Sequence, residues 1–139
     1  MERAFVYGAG LAGCEAAWQL VCRGIPVTLV EMKPAKRTPA HHADGFAELV
    51  CSNSLKAERP DSASGLLKIE MKMMGSHLLD AAETARVAAG GALAVDRDVF
   101  STAVTEMVEK NSGITVHREE VTALDESVPV LVASGPLTE

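Results

Sequence analysis

Apolar residues along this chain fall into short continuous runs separated by longer amphipathic stretches. Such runs are typical of strands buried on both faces of a parallel sheet, and the stretches repeat at helical spacing. The predicted strands cover residues 3–7, 27–30, 91–95, 114–117 (continued at 120–124) and 128–133. The predicted helices cover residues 11–23, 67–85 (with a break at Gly75) and 99–110. This alternation predicts an α/β domain with a mostly parallel sheet.

Between residues 33 and 65 the pattern dissolves into proline, histidine, aspartate and serine. A compact domain rarely holds so long an irregular stretch unless the stretch has a function. We therefore predict a functional loop over 33–65 within a single domain of residues 1–139. The chain stops soon after Pro136, directly behind a strand that looks central. We interpret this ending as an incomplete domain whose remainder is absent.

Composition and charge narrow the class of protein. A chain of 139 residues, 47% hydrophobic and 23% charged, suits a globular domain. No apolar run reaches the roughly 18 residues of a membrane-spanning helix, and no signal-peptide pattern follows the start, so we expect a cytoplasmic protein without a membrane partner. The net charge of -6 argues against a nucleic-acid surface built on bulk charge but allows a local basic patch. Three cysteines without zinc-type spacing predict no disulfide framework and no metal site.

A glycine-rich turn between the first strand and the first helix carries the strongest chemical signal. It fits the pattern G-x-G-x-x-G and reads Gly8-Ala9-Gly10-Leu11-Ala12-Gly13. Gly8 permits the tight turn, Gly10 lets a pyrophosphate approach the backbone, and Gly13 lets the helix pack closely. The N–H groups at the helix start would face that anion.

Glu31 directly follows the second predicted strand. At this position, dinucleotide-binding units have an acidic residue that binds the ribose hydroxyls of an adenosine. A carboxylate at this place disfavours the 2′-phosphate of NADP. The alternative is a chance glycine turn with a surface glutamate, and the agreement of strand, helix, second strand and acid argues against it. FAD and NAD both fit the motif.

Cys51 follows the apolar pair Leu49-Val50 and opens the polar cluster 52–54. Basic residues close in sequence, Lys56 and Arg59, would favour a nucleophilic thiolate if they are also close in space. A buried, inert loop cysteine is the other interpretation. Cys14 and Cys22 fall on the apolar face of the first helix, so we interpret them as core residues.

Five sequence blocks together resemble a known family. Residues 8–17 (GAGLAGCEAA) and 27–32 (VTLVEM) are common to many flavoproteins, whereas three further blocks are more specific. These are 46–56 (FAELVCSNSLK), 90–97 (GGALAVDR) and 135–138 (GPLT). On these blocks the chain is similar, over essentially its whole length, to the folate- and FAD-dependent tRNA (uracil-5-)-methyltransferases.

The resemblance implies a Rossmann-like FAD-binding domain and a specific reaction. Family members transfer a one-carbon unit from methylenetetrahydrofolate to carbon 5 of the T-loop uridine in tRNA, with NAD(P)H as the reductant of FAD. The resemblance implies a role for each matching position, and tRNA and folate are the implied partners. Cys51 would be catalytic, by covalent chemistry at the uracil ring or at the flavin-bound carbon. The implied cofactor-binding residues are Gly8, Ala9, Gly10, Leu11, Ala12 and Gly13 at the pyrophosphate, Glu31, Met32 and Lys33 at the adenosine, Arg97 (beside Asp96) at the flavin, and Ser134 and Gly135 at a closing turn.

Members of this family are several times longer, so the resemblance also implies an amino-terminal fragment. Two other functions stay open. One is a flavoprotein that modifies the wobble uridine of tRNA, against which the block at 46–56 argues. The other is a dinucleotide-binding module without catalysis.

Overall fold

Seven strands and four helices make up the part of the chain, residues 2–138, that the computed structural model describes. The strands are β1 (Ala4–Tyr7), β2 (Val27–Glu31), β3 (Ser54–Ala57), β4 (Arg86–Val87), β5 (Ala92–Val95), β6 (Ile114–Arg118) and β7 (Val130–Val132). The helices are α1 (Leu11–Cys22), α2 (Ala63–Met73), α3 (His77–Thr84) and α4 (Arg97–Glu109). The predicted α/β class is confirmed.

A parallel sheet with the strand order β6-β2-β1-β7 forms the centre of the fold. Every residue of β2 is buried, as its continuous apolar run predicts. Helices α1, α3 and α4 pack against one another and contribute to one hydrophobic core. Because the strands are parallel, the residues that follow β1, β2 and β7 meet at one edge of the sheet.

A second, antiparallel sheet with the order β3-β5-β4 was not predicted. The predicted strand at 91–95 exists as β5 but lies in this small sheet rather than in the parallel one. An apolar run alone does not reveal the partner strand, and β3 lies within the stretch that we predicted to be irregular. That stretch therefore ends at residue 53, and α2 begins soon after β3, with the Ser62 side chain accepting a hydrogen bond from the Gly65 N–H.

The long helix predicted over 67–85 is broken at Gly75, as its sequence indicates. Gly75 adopts a positive φ of 80°, which ends the first helix. Ser76 then begins α3, and its side chain accepts a hydrogen bond from the Leu79 N–H. The predicted strand continuation at 120–124 is wrong, because this polar segment has no strand conformation in the structure.

The cysteines of α1 differ from one another, contrary to our interpretation of both as core residues. Cys14 is completely buried, whereas Cys22 is exposed. Cys22 is the last residue of α1, and in this last turn Leu20 and Val21 are the residues that pack against the core. The core interpretation is therefore right for Cys14 and wrong for Cys22.

Candidate cofactor site and the Cys51 loop

Two glycines of the turn occupy places where no side chain fits. Gly8 has a φ of 102°, and a Cβ there would lie 2.8 Å from the Ala133 carbonyl carbon and 2.9 Å from the Ser134 Cα. A Cβ at Gly13 would collide with the Gly8 carbonyl, at 2.9 Å from its carbon. Backbone atoms therefore lie directly against one another in this turn. This packing explains why Gly8 is needed for the tight turn and Gly13 for the close approach of the helix.

Gly10 is different, because a Cβ built on it meets no atom within 4 Å. It is the N-cap residue of α1, where no side chain caps the helix and no acidic residue stands in the first turn. The first N–H groups of a helix lack intrahelical acceptors and carry the positive end of its dipole. Open space in front of such groups is suited to an anion.

Glu31 is buried and holds the glycine-rich turn in place. Its Oε2 accepts a hydrogen bond of 2.8 Å from the Ala9 N–H, and its Oε1 accepts one of 3.0 Å from the Lys33 N–H. Each carboxylate oxygen can accept more than one hydrogen bond, so the predicted contact with ribose hydroxyls stays a prediction. The link to Ala9 could not be read from the sequence, since it depends on where the turn folds back.

We expect Glu31→Ala to destabilise the chain by about 2 kcal/mol, because it leaves two buried N–H groups without their acceptor. Glu31→Gln keeps one acceptor oxygen and should recover part of this loss. Urea unfolding followed by circular dichroism measures both variants. Equal stability of Glu31→Ala and the unmodified chain would contradict a role of Glu31 in holding the turn.

Ser134 lies directly beside the glycine-rich turn, as its position after β7 predicts, and Gly135 follows it with a φ of 81°. The Ser134 Cα is one of the atoms closest to Gly8, and the Ala133 N–H donates to the Tyr7 carbonyl at 2.7 Å. The Ser134 hydroxyl pairs with that of Thr138 at 2.6 Å. The structure thus brings the predicted closing turn to the predicted pyrophosphate site.

Lys33 is buried and its ammonium group binds the loop rather than facing open space. Its Nζ donates to the Gly45 carbonyl at 2.8 Å and forms an ion pair with Glu48 at 3.2 Å. Met32 beside it is half-buried. Lys33 therefore has a structural role next to the position that we predicted for the adenosine.

Glu48 organises the loop, and our sequence analysis missed it. Its Oε1 accepts hydrogen bonds from the N–H groups of His42 (2.8 Å) and Ala43 (3.0 Å). Burial acts to raise the pKa of Glu48, but these two hydrogen bonds and the Lys33 ammonium outweigh it and hold the pKa below its ordinary value. A lone glutamate inside the apolar run at 46–50 was the available signal.

Residues 46 and 47 fasten the loop to the rest of the fold. Phe46 is fully buried; its N–H donates to the Thr105 hydroxyl at 2.8 Å, and its carbonyl accepts from Ser101 at 2.6 Å. The N–H of Ala47 donates to the Ala9 carbonyl at 2.9 Å. The loop that leads to Cys51 is thereby joined to the glycine-rich turn itself.

Cys51 is exposed, which excludes the interpretation of a buried loop cysteine. The guanidinium of Arg97 donates to the Cys51 carbonyl at 3.3 Å. Among the contacts of the described residues, Arg97 is the basic residue that reaches the Cys51 backbone, whereas Arg59 pairs with Asp61 at 2.5 Å. The blocks at 46–56 and 90–97, far apart in sequence, therefore meet at Cys51.

The loop of Cys51 is held from two sides. The Asn53 side chain donates to the Val95 carbonyl at 3.2 Å, at the end of β5. Asp96 follows and caps α4, accepting hydrogen bonds of 3.0 Å from the N–H groups of Asp98 and Val99. This cap fixes the first turn of α4, and with it Arg97.

A parallel sheet, a glycine-rich turn at the start of α1 and a buried acid at the end of β2 define a Rossmann-like α/β domain. The sequence profile of the family described as "Glucose inhibited division protein A" matches residues 3–136. The chain belongs to this family.

Several curated relatives of the chain carry the name methylenetetrahydrofolate–tRNA-(uracil-5-)-methyltransferase TrmFO. The protein of Exiguobacterium sibiricum is 56% identical over 99% of this chain, which corresponds to 32% of the relative. Those of Listeria monocytogenes and Desulforudis audaxviator are 56% and 57% identical over 96% of the chain and 30% of each relative. The chain spans about a third of the length of the curated relatives it matches. Within residues 2–138, no helix is long and apolar enough to cross a membrane.

Proposed function

We propose that this chain is the amino-terminal, FAD-binding part of a methylenetetrahydrofolate–tRNA-(uracil-5-)-methyltransferase of the cytoplasm. One observation carries the proposal: the Ala47–Ala9 hydrogen bond joins an uncapped, open helix start to the loop of an exposed cysteine. This backbone hydrogen bond connects the proposed cofactor site to the loop that carries the proposed nucleophile. The whole enzyme would act on tRNA and folate.

The described residues fit FAD at the glycine-rich turn. Open space at Gly10 and the N–H groups at the start of α1 suit the pyrophosphate, and Glu31 lies where an adenosine ribose is expected. Ser134 borders the same turn, and Gly135 follows it in the chain. When bound and reduced by NAD(P)H, FAD would supply the electrons for the one-carbon transfer.

Cys51 would act as the nucleophile. Its exposed thiol can reach a substrate, and a thiolate attacks an electrophilic carbon such as those of a uracil ring. Arg97 holds the backbone of this residue through its carbonyl. The guanidinium also places a positive charge beside the loop, which favours an anionic substrate such as tRNA.

The two other functions are less well supported. The relatives that match nearly the whole chain are named for uracil-5 methylation, which favours this reaction over modification of the wobble uridine. An exposed cysteine beside an arginine favours catalysis over a module that only binds a dinucleotide.

We expect Cys51→Ser to abolish methylation when this chain replaces the first third of the Exiguobacterium sibiricum relative. Formation of 5-methyluridine in tRNA, with methylenetetrahydrofolate and NADPH supplied, should fall by about a hundredfold or more, because a hydroxyl is a much weaker nucleophile. Cys22→Ser is the matched control, since Cys22 is also exposed but lies outside the site.

Retention of activity in Cys51→Ser would refute the catalytic role of Cys51. An inactive parent chimaera that nevertheless folds and binds FAD would contradict the proposed reaction.

A further inference from the structure

Cys22 belongs to a second group of reactive side chains, on α1 and α3, outside the candidate site. Its Sγ lies 4.0 Å from the Nε2 of His77, the first residue of α3. The Nδ1 of the same ring lies 3.9 Å from a carboxylate oxygen of Asp80. The thiol, the imidazole and the carboxylate are thus arranged as a nucleophile, the base that takes its proton and the acid that orients the base.

The His77 ring packs against Trp18, and the two ring centroids lie 4.4 Å apart. The backbone N–H of His77 donates to Glu15 at 3.2 Å, which fixes the start of α3 against α1. Asp80 beside Nδ1 favours the tautomer that carries the proton there. That tautomer leaves the lone pair of Nε2 for the proton of the Cys22 thiol.

Two carboxylates lie close to His77. Asp80 lies beside the ring on α3, and Glu15 on α1 accepts a hydrogen bond from the His77 backbone N–H. Burial acts to raise the pKa of Glu15, but hydrogen bonds from the Gln19 side chain, Leu78, Ser76 and His77 outweigh it, so this carboxylate is ionised. Arg23 is the cation nearest in sequence to Cys22, and it donates to Gln19.

Cys22 needs this base because its place in the helix is unfavourable for an anion. It is the last residue of α1, and the carbonyl end of a helix opposes negative charge. Without His77 the thiol would be a poor nucleophile. Cys51 is also exposed and has no histidine among its described contacts, so its reaction rate is the reference for that of Cys22.

We propose that Cys22 is a modification site that undergoes thiol–disulfide exchange with low-molecular-weight disulfides. His77 Nε2 takes the thiol proton as Sγ attacks one sulfur of the disulfide. The bond between Sγ and that sulfur forms, and the disulfide's own S–S bond breaks. The departing thiolate leaves with the electron pair and takes the proton from His77, so that Cys22 is oxidised and one small thiol is released.

The experiment incubates the purified chain with oxidised glutathione for short times, traps free thiols with iodoacetamide, and quantifies Cys22 and Cys51 by peptide mass spectrometry. Cys22 should form the mixed disulfide faster than Cys51. In His77→Asn we expect the rate of Cys22 modification to fall by about tenfold. General bases in enclosed catalytic sites contribute ~10²–10⁴-fold, and the effect here should be smaller because Cys22 and His77 are open to water. The Cys51 rate in the same sample should not change.

Fluorescence of Trp18, the single tryptophan, and circular dichroism report whether each variant is folded. Asp80→Asn, an exposed substitution, is the second variant and should slow Cys22 less than His77→Asn does. A Cys22 rate equal to that of Cys51 in the folded chain would overturn the proposal. So would an unchanged Cys22 rate in folded His77→Asn.

Discussion

Replacing Gly13 with alanine is expected to destabilise the chain by at least about 3 kcal/mol, the upper range for overpacking a close contact. The added Cβ would collide with the Gly8 carbonyl, whose carbon would lie 2.9 Å away. The obstacle is backbone, which cannot swing aside as a flexible side chain does. Urea unfolding followed by circular dichroism measures the loss.

Gly10→Val is the matched control for Gly13→Ala. Gly10 has an extended backbone, with φ -76° and ψ -168°, which a β-branched residue adopts without strain. Its side chain would enter open space. The control should therefore unfold like the unmodified chain, and a similar loss of stability in both variants would contradict the distinct roles given to the two glycines.

Glu48→Ala is expected to cost about 3 kcal/mol, because it leaves the buried Lys33 ammonium without its counter-ion. The Lys33 side chain is 5% exposed and that of Glu48 is 13% exposed, so water cannot replace the lost partner fully. The N–H groups of His42 and Ala43 lose their acceptor as well. The same unfolding experiment measures this variant, and limited proteolysis should show cleavage of the loop at 41–48.

The contribution of Glu48 should depend on pH in one direction. Its pKa in the folded chain is lowered, so its stabilisation is fully present above the ordinary glutamate pKa of about 4.3. It is lost as the pH falls through the lower folded value. Glu48→Gln keeps an acceptor oxygen without the charge. Its loss in the free energy of unfolding, relative to the unmodified chain, should become smaller in acid. A loss that stays constant from pH 7 to pH 3 would contradict the ion pair.

The parallel sheet could be predicted because its strands are continuous apolar runs and α1 has a clear amphipathic period. The glycine-rich turn could be predicted from its position between a strand and a helix. Gly8 and Gly13 are closely packed, as the motif predicts, and Gly10 faces open space. These features are local in sequence. Local patterns are what a single sequence expresses most directly.

The rest of the site depends on contacts between distant segments. The pairing of β3 with β5 and the meeting of Cys51 with Arg97 join residues 35 to 46 positions apart. Glu48 and the Ala47–Ala9 hydrogen bond have no periodic signature. The exposure of Cys22 follows from how α1 ends against α3, which hydrophobic spacing does not encode.

Titration of the purified chain with FAD, followed by quenching of flavin fluorescence, is the most direct test of a pyrophosphate site at the start of α1. We expect saturable binding that Gly10→Val weakens by at least about tenfold, or about 1.4 kcal/mol, while unfolding stays unchanged. The side chain of the variant would occupy the open space at the start of α1. A folded chain that does not bind FAD, or that binds FAD equally well with valine at position 10, would contradict an FAD site at this turn.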